Sequence, residues 1–548
     1  MAESFYLTTP IYYVNGIPHL GTAYTTIAAD ALARFERMDG YDVKFLTGLD
    51  EHGQKVGDAA AEAGMSPQEW VDGIAPKFLD TWKALNISND DFIRTTEDRH
   101  IKSVQKLFSV LHDNGSLYKD TYKGWYCVPE ETFFTNEELK DANGTMPPDG
   151  PDVQETPVCP DCGRPLEFVE EENLFFKLSD YGDKLLAYYD AHPDFIQPET
   201  RRNEVVSFVK GGLKDLSVSR TSFDWGVPIP FAKGHVSYVW FDALINYLTA
   251  VGYGDESEDG QAEFERRWPA QIHFVGKDII RFHCVIWPAM LMAAGLPLPK
   301  RVFAHGFLLT KGEKMSKSRG NALSPLDLAK IFSVDGYRYY FLSDVQFGSD
   351  GSISFERMTQ VYNSDLANAW GNLVSRALNM TKKYFGSTVP GLKPDATNDL
   401  TRDMGNPLAD IAAGIYVRYA AHMNAIDYSG AMADVMELVN RANAYIEESA
   451  PWNIAKEAAN GNEGANDRLA FVIYNTLEAI RIAAALLAPV MPTTSAEVWR
   501  RLGLGDVLAV TDLQSICKWG GADDTACHIV GNEVTVGDPL FPRLAKED

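Results

Sequence analysis

The first residues that can do chemistry are the four residues HLGT at positions 19–22, which follow an extended segment and begin a helical one. A helix N-terminus offers free backbone N–H groups and the positive end of the helix dipole, so it suits a phosphate group. His19 can donate a hydrogen bond to a phosphate oxygen, and Gly21 lets a ribose or a base approach the backbone closely. The motif predicts a nucleotide site, although a core histidine at a helix start is an equally simple reading of these few residues.

A second chemical group is the basic loop KMSKS at positions 314–318, which is bounded by Gly312 and Gly320. Lys314 and Lys317 can close over a polyphosphate and stabilise the charge that develops on a leaving pyrophosphate. A solvated basic loop is the alternative. Because the loop follows an HLGT motif in the same chain, we favour the nucleotide-binding interpretation.

A third group consists of cysteines in a strongly acidic part of the chain. Cys159 and Cys162 have the spacing of half a zinc knuckle, and Cys127 precedes them. Glu130 occupies the position where a second cysteine would complete the other half, and a carboxylate can also ligate zinc. We therefore predict one zinc ion on Cys127, Glu130, Cys159 and Cys162. Glu131 is an alternative fourth ligand, and a metal-free hairpin pair is the alternative to a metal site.

These groups need a scaffold, and the apolar pattern predicts strands and helices in alternation. The predicted strands cover residues 4–9, 43–47, 237–241, 272–275 and 302–309, and the first two predicted helices cover residues 24–38 and 55–63. This alternation is typical of an α/β fold with a Rossmann-like parallel sheet, here split by a connective insertion. From residue 362 onward, long runs of Ala, Leu and Ile predict an α-helical bundle.

Composition limits the class of protein. The 548 residues include 50 Lys and Arg against 76 Asp and Glu, which gives a net charge of −26. That charge argues against nonspecific coating of nucleic acid and against docking on an anionic membrane, but it leaves room for a localised nucleic-acid site. Six cysteines are too few for a disulfide scaffold, the N-terminus has no secretory pattern, and the apolar stretch 482–491 is too short to span a bilayer. We expect a soluble, cytoplasmic protein without a membrane partner.

HLGT and KMSKS resemble the two signature motifs of class I aminoacyl-tRNA synthetases. Longer segments resemble the methionyl-tRNA synthetase family in particular, and they cover residues 9–56, 239–247, 274–291, 305–309 and 450–457. The resemblance implies that the chain activates methionine with ATP and Mg²⁺ and transfers the methionyl group to the 3′ end of tRNA(Met). We also expect a monomer, because the sequence has no further C-terminal domain like the one that some members of the family use to dimerise.

The resemblance assigns the predicted segments. It implies a Rossmann catalytic domain in two halves, residues 1–120 and 228–310, with a connective insertion between them at residues 121–227. A KMSKS and stem-contact region follows at residues 311–361, and a helical anticodon-binding domain at residues 362–548.

The resemblance also implies site residues. Asp50 would hold the methionine ammonium, and the rest of the methionine pocket would be Ile11, Tyr13, Trp240, Leu244, Tyr247, Ile279 and His283. The residues that would bind ATP are His19, Gly21, Thr22, Gly276, Lys277, Asp278, Lys314 and Lys317, of which His19, Lys314 and Lys317 would be catalytic. Thr22 departs from the family, which usually has a second histidine there, so the phosphate role falls mainly on His19 and the two lysines.

For tRNA, the resemblance places anticodon readers on the helical domain. Asn372 and Arg376 are four residues apart and so share a helix face, and Trp452 can stack on a base. Without the resemblance, these three would be ordinary surface or packing residues.

Other functions compete with this one. A synthetase for valine, isoleucine or leucine would carry a larger insertion for editing, and one for cysteine would place zinc ligands in the active-site pocket. A catalytically inactive tRNA-binding paralogue would explain Thr22 but not the intact KMSKS motif. A small-molecule nucleotidyltransferase with a similar HLGT loop would have no use for a helical domain that reads tRNA.

Overall fold

We describe the protein from a computed structural model. The structure describes residues 2–14, 16–134, 156–160, 162–310, 313–314, 324–392, 405–521 and 527–545, together with positions 136, 139, 147 and 150.

A six-stranded parallel sheet forms the centre of the N-terminal part. Its strands lie in the order Asp91–Arg94, Asp42–Asp50, Ser4–Tyr13, Ile272–Gly276, Val302–His305 and Ile196–Gln197. The first strand therefore pairs with a segment more than 250 residues away in sequence (Leu7 with Ile272), which is the split Rossmann-like sheet that the alternation predicts. The edge strand Ile196–Gln197 comes from within the predicted insertion 121–227, so that segment also completes the six-stranded sheet.

Helices cover the two faces of this sheet. The N-terminal part contains the helices Leu20–Met38, Gln54–Glu62, Pro67–Ala84, Asp98–Asp113, Val239–Ala243, Asn246–Thr249, Glu258–Arg267 and Trp287–Ala294. Most of the first helix is buried, including Ile27, Leu32 and Phe35, because it packs between the sheet and the helical domain. It begins four residues earlier than the predicted start because His19 caps it.

The insertion carries its own sheet and two helices. Four antiparallel strands lie in the order Thr132–Phe134, Leu117–Cys127, Glu167–Phe176 and Leu216–Ser217. The helices Gly182–Ala191 and Glu199–Lys210 follow the long hairpin and lead back to the main sheet. Two short antiparallel strands, Ser219–Arg220 and Val236–Ser237, close the insertion.

Two predicted strands are wrong. Residues 237–241 contain only the end of the short strand Val236–Ser237, and the helix Val239–Ala243 follows, because a short apolar run has no period that separates a buried strand from a buried helix. The predicted strand 302–309 is two strands, Val302–His305 and Leu308–Thr310, in different sheets. The break falls at Gly306, where a Cβ atom would lie 2.3 Å from the backbone of Ser349.

Between the sheet and the bundle lies a small region that includes the start of the KMSKS loop. Strand Leu308–Thr310 pairs with Glu313–Lys314 and with Gly351–Ser352. The helices Pro325–Phe332, Val334–Ser343 and Phe355–Val361 complete this region.

The C-terminal part is helical, as the apolar runs predict. Its helices are Tyr362–Gly371, Asn372–Phe385, Pro407–Asn424, Tyr428–Ser449, Pro451–Ala459, Ala465–Leu487, Pro492–Arg501 and Leu513–Ile516. By length and composition Ala465–Leu487 resembles a membrane span, but the whole of its most apolar window is buried among the other helices. A central core helix of a bundle has the same composition.

Arg338 joins the helical bundle to the N-terminal part. Its fully buried guanidinium donates to Asp30 Oδ2 at 2.6 Å on the first helix, and to the carbonyls of Pro489 and Val490 at 3.1 and 2.8 Å in the bundle. Burial opposes ionisation of Asp30, but the charges of Arg338 and Arg34 lower the pKa of this carboxyl to about 2. The helix that begins with HLGT is therefore fixed to the helical domain by a buried ion pair.

Candidate active site

The predicted site residues meet at the carboxyl end of the parallel sheet. The first two strands end together, because Tyr13 is the register partner of Asp50. The helix that starts with HLGT follows the first of them, and the segment 276–279 follows the neighbouring strand Ile272–Gly276. Open α/β sheets bind ligands at this end, where the chain connections diverge.

Asp50 is the most distinctive polar group here. The residue is 5% exposed, and its Oδ1 atom is buried without a hydrogen-bond partner among the described residues. Burial and the nearby carboxyls of Asp242, Glu131 and Glu51 raise the pKa of Asp50 well above its usual range. A buried acceptor without a partner is costly, so this oxygen is suited to a cationic group that a ligand supplies.

Behind Asp50 lies a buried network that the sequence did not reveal. Asp242 accepts hydrogen bonds at 2.7 Å from His52 Nδ1 and from His100 Nε2, and all three residues are buried. Burial opposes ionisation of Asp242, but attraction to His52 and hydrogen bonds from both histidines lower its pKa to about 2. Asp242 is two residues from Trp240, and His52 is two residues from Asp50, so the network fixes the two sides of the site relative to each other.

An apolar wall faces the same end of the sheet. Leu244 and Tyr247 are fully buried in one hydrophobic cluster, and the half-buried residues that pack on it include Ile11, Tyr13, Trp240 and Ile279. All six belong to the predicted methionine pocket, so the fold brings them together.

The seventh predicted pocket residue, His283, joins the wall through Tyr247. The Tyr247 hydroxyl lies 2.7 Å from His283 Nε2, and His283 Nδ1 lies 3.0 Å from the carbonyl of Ile279. Since that carbonyl can only accept, Nδ1 carries the proton and Nε2 accepts from Tyr247. Burial lowers the pKa of His283 to about 4, so the ring is neutral at physiological pH.

Trp240 stacks on Phe282, a residue that sequence reasoning missed. The ring centroids are 3.8 Å apart and the planes differ by 12°. The indole N–H of Trp240 is buried without a partner among the described residues. Aromatic faces of this kind suit a polarisable thioether.

His19 and Thr22 form the cap of the first helix. His19 Nδ1 accepts from the backbone N–H groups of Gly21 and Thr22 at 3.1 and 3.4 Å, so its proton is on Nε2, the nitrogen that can donate to a phosphate. The Thr22 hydroxyl accepts from the His19 N–H at 3.0 Å and lies 2.7 Å from the His19 carbonyl, to which it donates. Thr22 thus holds His19 in place, and its own hydroxyl proton is directed at the His19 backbone.

Lys277 and Asp278 follow the strand end at Gly276. Lys277 Nζ lies 2.7 Å from Asp350 Oδ2 and 4.4 Å from the Phe307 ring centroid. Asp350 also accepts from the Phe307 N–H at 2.8 Å, so it ties Lys277 to the base of the KMSKS hairpin. Asp278 is exposed, and its side chain lies over Gly276, where a Cβ atom would be 2.4 Å from Asp278 Oδ1.

The KMSKS lysines lie largely outside the described residues. For Lys314 the structure gives only the backbone, which pairs with Leu309. Lys317 falls in the range 315–323 and is not described.

The cysteine cluster forms at the far end of the insertion hairpin. Ligand atoms of Cys127, Cys159 and Cys162 lie within 4.8 Å of one another, and the sulfurs of Cys127 and Cys162 are 3.7 Å apart. Four sulfurs at about 2.3 Å around a tetrahedral zinc would be separated by roughly 3.8 Å, so the spacing fits zinc.

The carboxylates predicted as ligands do not join the cluster. The backbone N–H of Glu130 bonds to the Cys127 sulfur, and the Glu130 side chain is exposed. Glu131 is buried and accepts hydrogen bonds from Tyr13 and from the Lys55 N–H. Among the described residues, the group that could hold a metal ion therefore consists of three cysteines.

The predicted anticodon readers lie on the surface of the helical part. Asn372 is exposed at the start of its helix, and Trp452 is 37% exposed. Arg376 Nη2 pairs with Glu447 Oε1 at 2.6 Å. Asn372 and Arg376 share a helix face as their spacing predicts.

Two known protein families match this chain, one over the part that contains the parallel sheet and the other over the helical part. The family described as "tRNA synthetases class I (M)" matches residues 5–378, and the family described as "Anticodon binding domain of methionyl tRNA ligase" matches residues 373–548. The chain belongs to the methionyl-tRNA synthetase family. Methionyl-tRNA synthetases are methionine–tRNA ligases, so the chain is classed as an enzyme of protein biosynthesis.

Individual methionyl-tRNA synthetases match over the whole chain. The methionine–tRNA ligase of Caldanaerobacter subterraneus subsp. tengcongensis is 48% identical over 547 residues, which are 100% of this chain and 80% of the relative. That of Thermotoga maritima is 46% identical over 99% of this chain and 81% of the relative. The structure of Mycobacterium tuberculosis methionyl-tRNA synthetase in complex with methionyl-adenylate has a TM-score of 0.88 and 43% identity, and the match covers 99% of this chain and 100% of that chain.

Proposed function

We propose that the chain activates methionine with ATP at the carboxyl end of its parallel sheet and then esterifies the 3′ end of tRNA(Met). The observation that carries this proposal is the buried Oδ1 atom of Asp50, which has no hydrogen-bond partner among the described residues and lies beside an apolar wall. The carboxylate binds the amino-acid ammonium, and the wall binds an apolar, thioether-containing side chain.

In the first step, a methionine carboxylate oxygen forms a bond to the α-phosphorus of ATP. The bond from that phosphorus to the bridging oxygen breaks, and pyrophosphate leaves with the electron pair. His19 Nε2 and the N-terminus of the first helix stabilise the negative charge on the phosphates. Lys314 and Lys317 neutralise the departing pyrophosphate, and Asp278 with Gly276 and Lys277 accommodates the nucleoside part.

In the second step, a ribose hydroxyl at the tRNA 3′ end attacks the acyl carbon of methionyl-adenylate and displaces AMP. The reaction needs no covalent bond to the protein, so catalysis rests on positioning and on charge stabilisation. Mg²⁺ would supply further charge neutralisation on the phosphates of ATP.

The helical domain supplies the tRNA specificity in this proposal. Asn372 and Arg376 read base edges of the anticodon, and Trp452 stacks on an unpaired base. The exposure of Asn372 and Trp452 supports this role, because both are accessible to a loop that approaches from solvent. The Arg376–Glu447 pair must open or rearrange when a base binds.

A structural zinc ion belongs to the proposal as well. The sulfurs of Cys127, Cys159 and Cys162 would hold it, and this assignment is supported because all three lie within 4.8 Å of one another. Zinc would fix the end of the insertion hairpin and would take no part in the chemical steps.

We further propose that the protein acts as a cytoplasmic monomer. Six cysteines in 548 residues are too few for a disulfide scaffold, which suits a reducing compartment. The test is size-exclusion chromatography with light scattering, in which we expect the mass of one 60.8 kDa chain. A mass of twice that value would refute the monomer.

The test of the proposed function is ATP–pyrophosphate exchange with different amino acids. We expect exchange with methionine and about 10- to 100-fold less with leucine and isoleucine at equal concentration, since both are branched where methionine is linear and neither makes the sulfur contacts of the wall. Exchange driven by leucine or isoleucine and not by methionine would refute the assignment of the pocket.

A further inference from the structure

Glu131, the alternative zinc ligand in the sequence analysis, contacts residues of the proposed amino-acid site instead. It occupies the turn between the strands Leu117–Cys127 and Thr132–Phe134, with a φ of +48° that non-glycine residues rarely adopt. The residue is only 3% exposed. A buried carboxylate in a left-handed turn costs stability, so its contacts must compensate for that cost.

The carboxylate of Glu131 is bound from three directions. Oε1 lies 3.1 Å from the Tyr13 hydroxyl and accepts from the Lys55 N–H at 2.9 Å. Oε2 accepts from the Tyr126 hydroxyl. The main-chain carbonyl of Glu131 accepts from the Tyr238 hydroxyl at 2.6 Å. These contacts fasten the turn to the loop that follows Asp50 and to the strand that carries Tyr13.

The same turn also controls the ring of Tyr13 through Lys55. Lys55 Nζ donates to the carbonyl of Pro129 at 2.8 Å and lies 5.0 Å from the Tyr13 ring centroid. The Tyr13 hydroxyl therefore lies 3.1 Å from both Glu131 Oε1 and the His52 carbonyl, and a lysine that the turn anchors lies over its ring. Tyr13 is the register partner of Asp50 on the neighbouring strand, so the turn contacts a residue that lies directly beside the predicted ammonium site.

Gly53 provides independent support for a close contact here. Its φ is +105°, and a Cβ atom on it would lie 2.7 Å from the Tyr13 hydroxyl and 2.9 Å from Glu131 Oε1. Any larger residue would push these two groups apart. The loop after Asp50 therefore needs a glycine where the insertion approaches.

We propose that Glu131 is a positioning residue for methionine binding, which acts through the Tyr13 hydroxyl and connects the cysteine hairpin to the amino-acid site. This inference rests on the proposed function, since it assigns Tyr13 and Asp50 to methionine. Glu131 orients Tyr13 and closes the site on the side of the insertion. It does not touch the reacting atoms.

The experiment measures methionine-dependent ATP–pyrophosphate exchange in the full chain. Glu131→Ala raises the KM for methionine about tenfold or more, while the KM for ATP stays within twofold, because the lost hydrogen bonds orient only the amino-acid side. Glu131→Gln keeps an acceptor for Tyr13 and Lys55, so it restores most of the methionine affinity. Glu170→Ala is the matched control, since it removes an exposed carboxylate of the same hairpin.

A double-mutant cycle tests whether Glu131 acts through Tyr13. Tyr13→Phe raises the KM for methionine in the same direction, and adding Glu131→Ala to it produces little further change. Full additivity of the two effects overturns the proposal, and so does an unchanged methionine KM in Glu131→Ala.

A merely structural role gives a different pattern. It lowers the melting temperature of Glu131→Ala and raises the KM values for methionine and ATP alike, which also overturns the proposal. If Glu131→Ala does not fold, Glu131→Asp takes its place in the cycle with Tyr13→Phe, because the shorter side chain withdraws the carboxylate from the Tyr13 hydroxyl. An unmodified chain that shows no methionine-dependent exchange refutes the proposed function instead, so the two failures are distinguishable.

Discussion

Replacing Asp50 with asparagine tests the ammonium site directly. The substitution keeps the shape of the side chain and removes the negative charge that the buried Oδ1 atom offers to a ligand. Removing one partner of a buried ion pair costs about 3–5 kcal/mol. We therefore expect kcat/KM for methionine in the exchange assay to fall by about two to four orders of magnitude.

The same substitution is expected to stabilise the free protein. Burial and neighbouring carboxyls raise the pKa of Asp50, so its ionised form is less stable in the folded chain than in the unfolded chain. A raised carboxyl pKa makes a contribution to stability that is full at low pH and is lost as the pH rises through the unfolded pKa towards the folded one. At neutral pH the asparagine variant lacks that penalty, so we expect a melting temperature equal to or above that of the unmodified chain.

The raised pKa also predicts how methionine binding depends on pH. The ammonium group needs the carboxylate, so methionine binding displaces a proton from Asp50 whenever that group is protonated in the free enzyme. The methionine KM should therefore fall as the pH rises towards the pKa of Asp50 in the free enzyme, and this slope should disappear in Asp50→Asn. A variant with an unchanged methionine KM, or with a lower melting temperature and a normal pH profile, would refute the reasoning.

Three further predictions follow from other parts of the molecule. Lys317→Ala should lower the rate of adenylate formation by about 100-fold or more in single-turnover assays, with the methionine Kd from equilibrium dialysis within about threefold; a large loss of methionine binding would contradict the assigned role. Cys159→Ala should abolish stoichiometric zinc in elemental analysis of the purified protein, while a Cys284→Ala control keeps it; equal metal content in both would exclude the cysteine cluster. Asp30→Asn should lower the free energy of unfolding in urea by about 3 kcal/mol at pH 7, because it leaves Arg338 buried without its charged partner. Since the pKa of Asp30 is lowered to about 2, its contribution to stability is present above pH ~4 and is lost as the pH falls towards 2. An equal effect of the substitution at pH 2 would contradict this reasoning.

Sequence reasoning succeeded where the determinants are local. His19 and Gly21 stand at a helix start, and the capping contacts of His19 involve only residues two and three positions away. Asp50 stands at the end of an apolar strand. In both places, the direction of the chain and the residue type suffice to place a side chain at the carboxyl end of a parallel sheet.

It failed where contacts join distant segments. His100 and Asp242 are 142 residues apart, and no spacing rule relates them. The apolar run 302–309 reads as one strand, but the approach of Ser349 to Gly306 divides it. The pattern DEHG after the second strand was a usable signal for His52, because polar residues at a strand end are often functional.

Glu131 shows how sequence proximity can mislead. It is four residues from Cys127, which suggests a metal ligand. The backbone at Glu131 is left-handed, and its carboxylate contacts the Tyr13 hydroxyl and the Lys55 N–H. Only the backbone geometry of the turn distinguishes the two roles.

The most direct test of the central claim is a crystal structure of this chain with methionine or a nonhydrolysable methionyl-adenylate analogue. We predict that the α-ammonium nitrogen lies within about 3 Å of Asp50 Oδ1 and that the thioether contacts the wall formed by Trp240, Tyr247 and His283. An ammonium group paired elsewhere, with Asp50 Oδ1 still lacking a partner, would contradict the account.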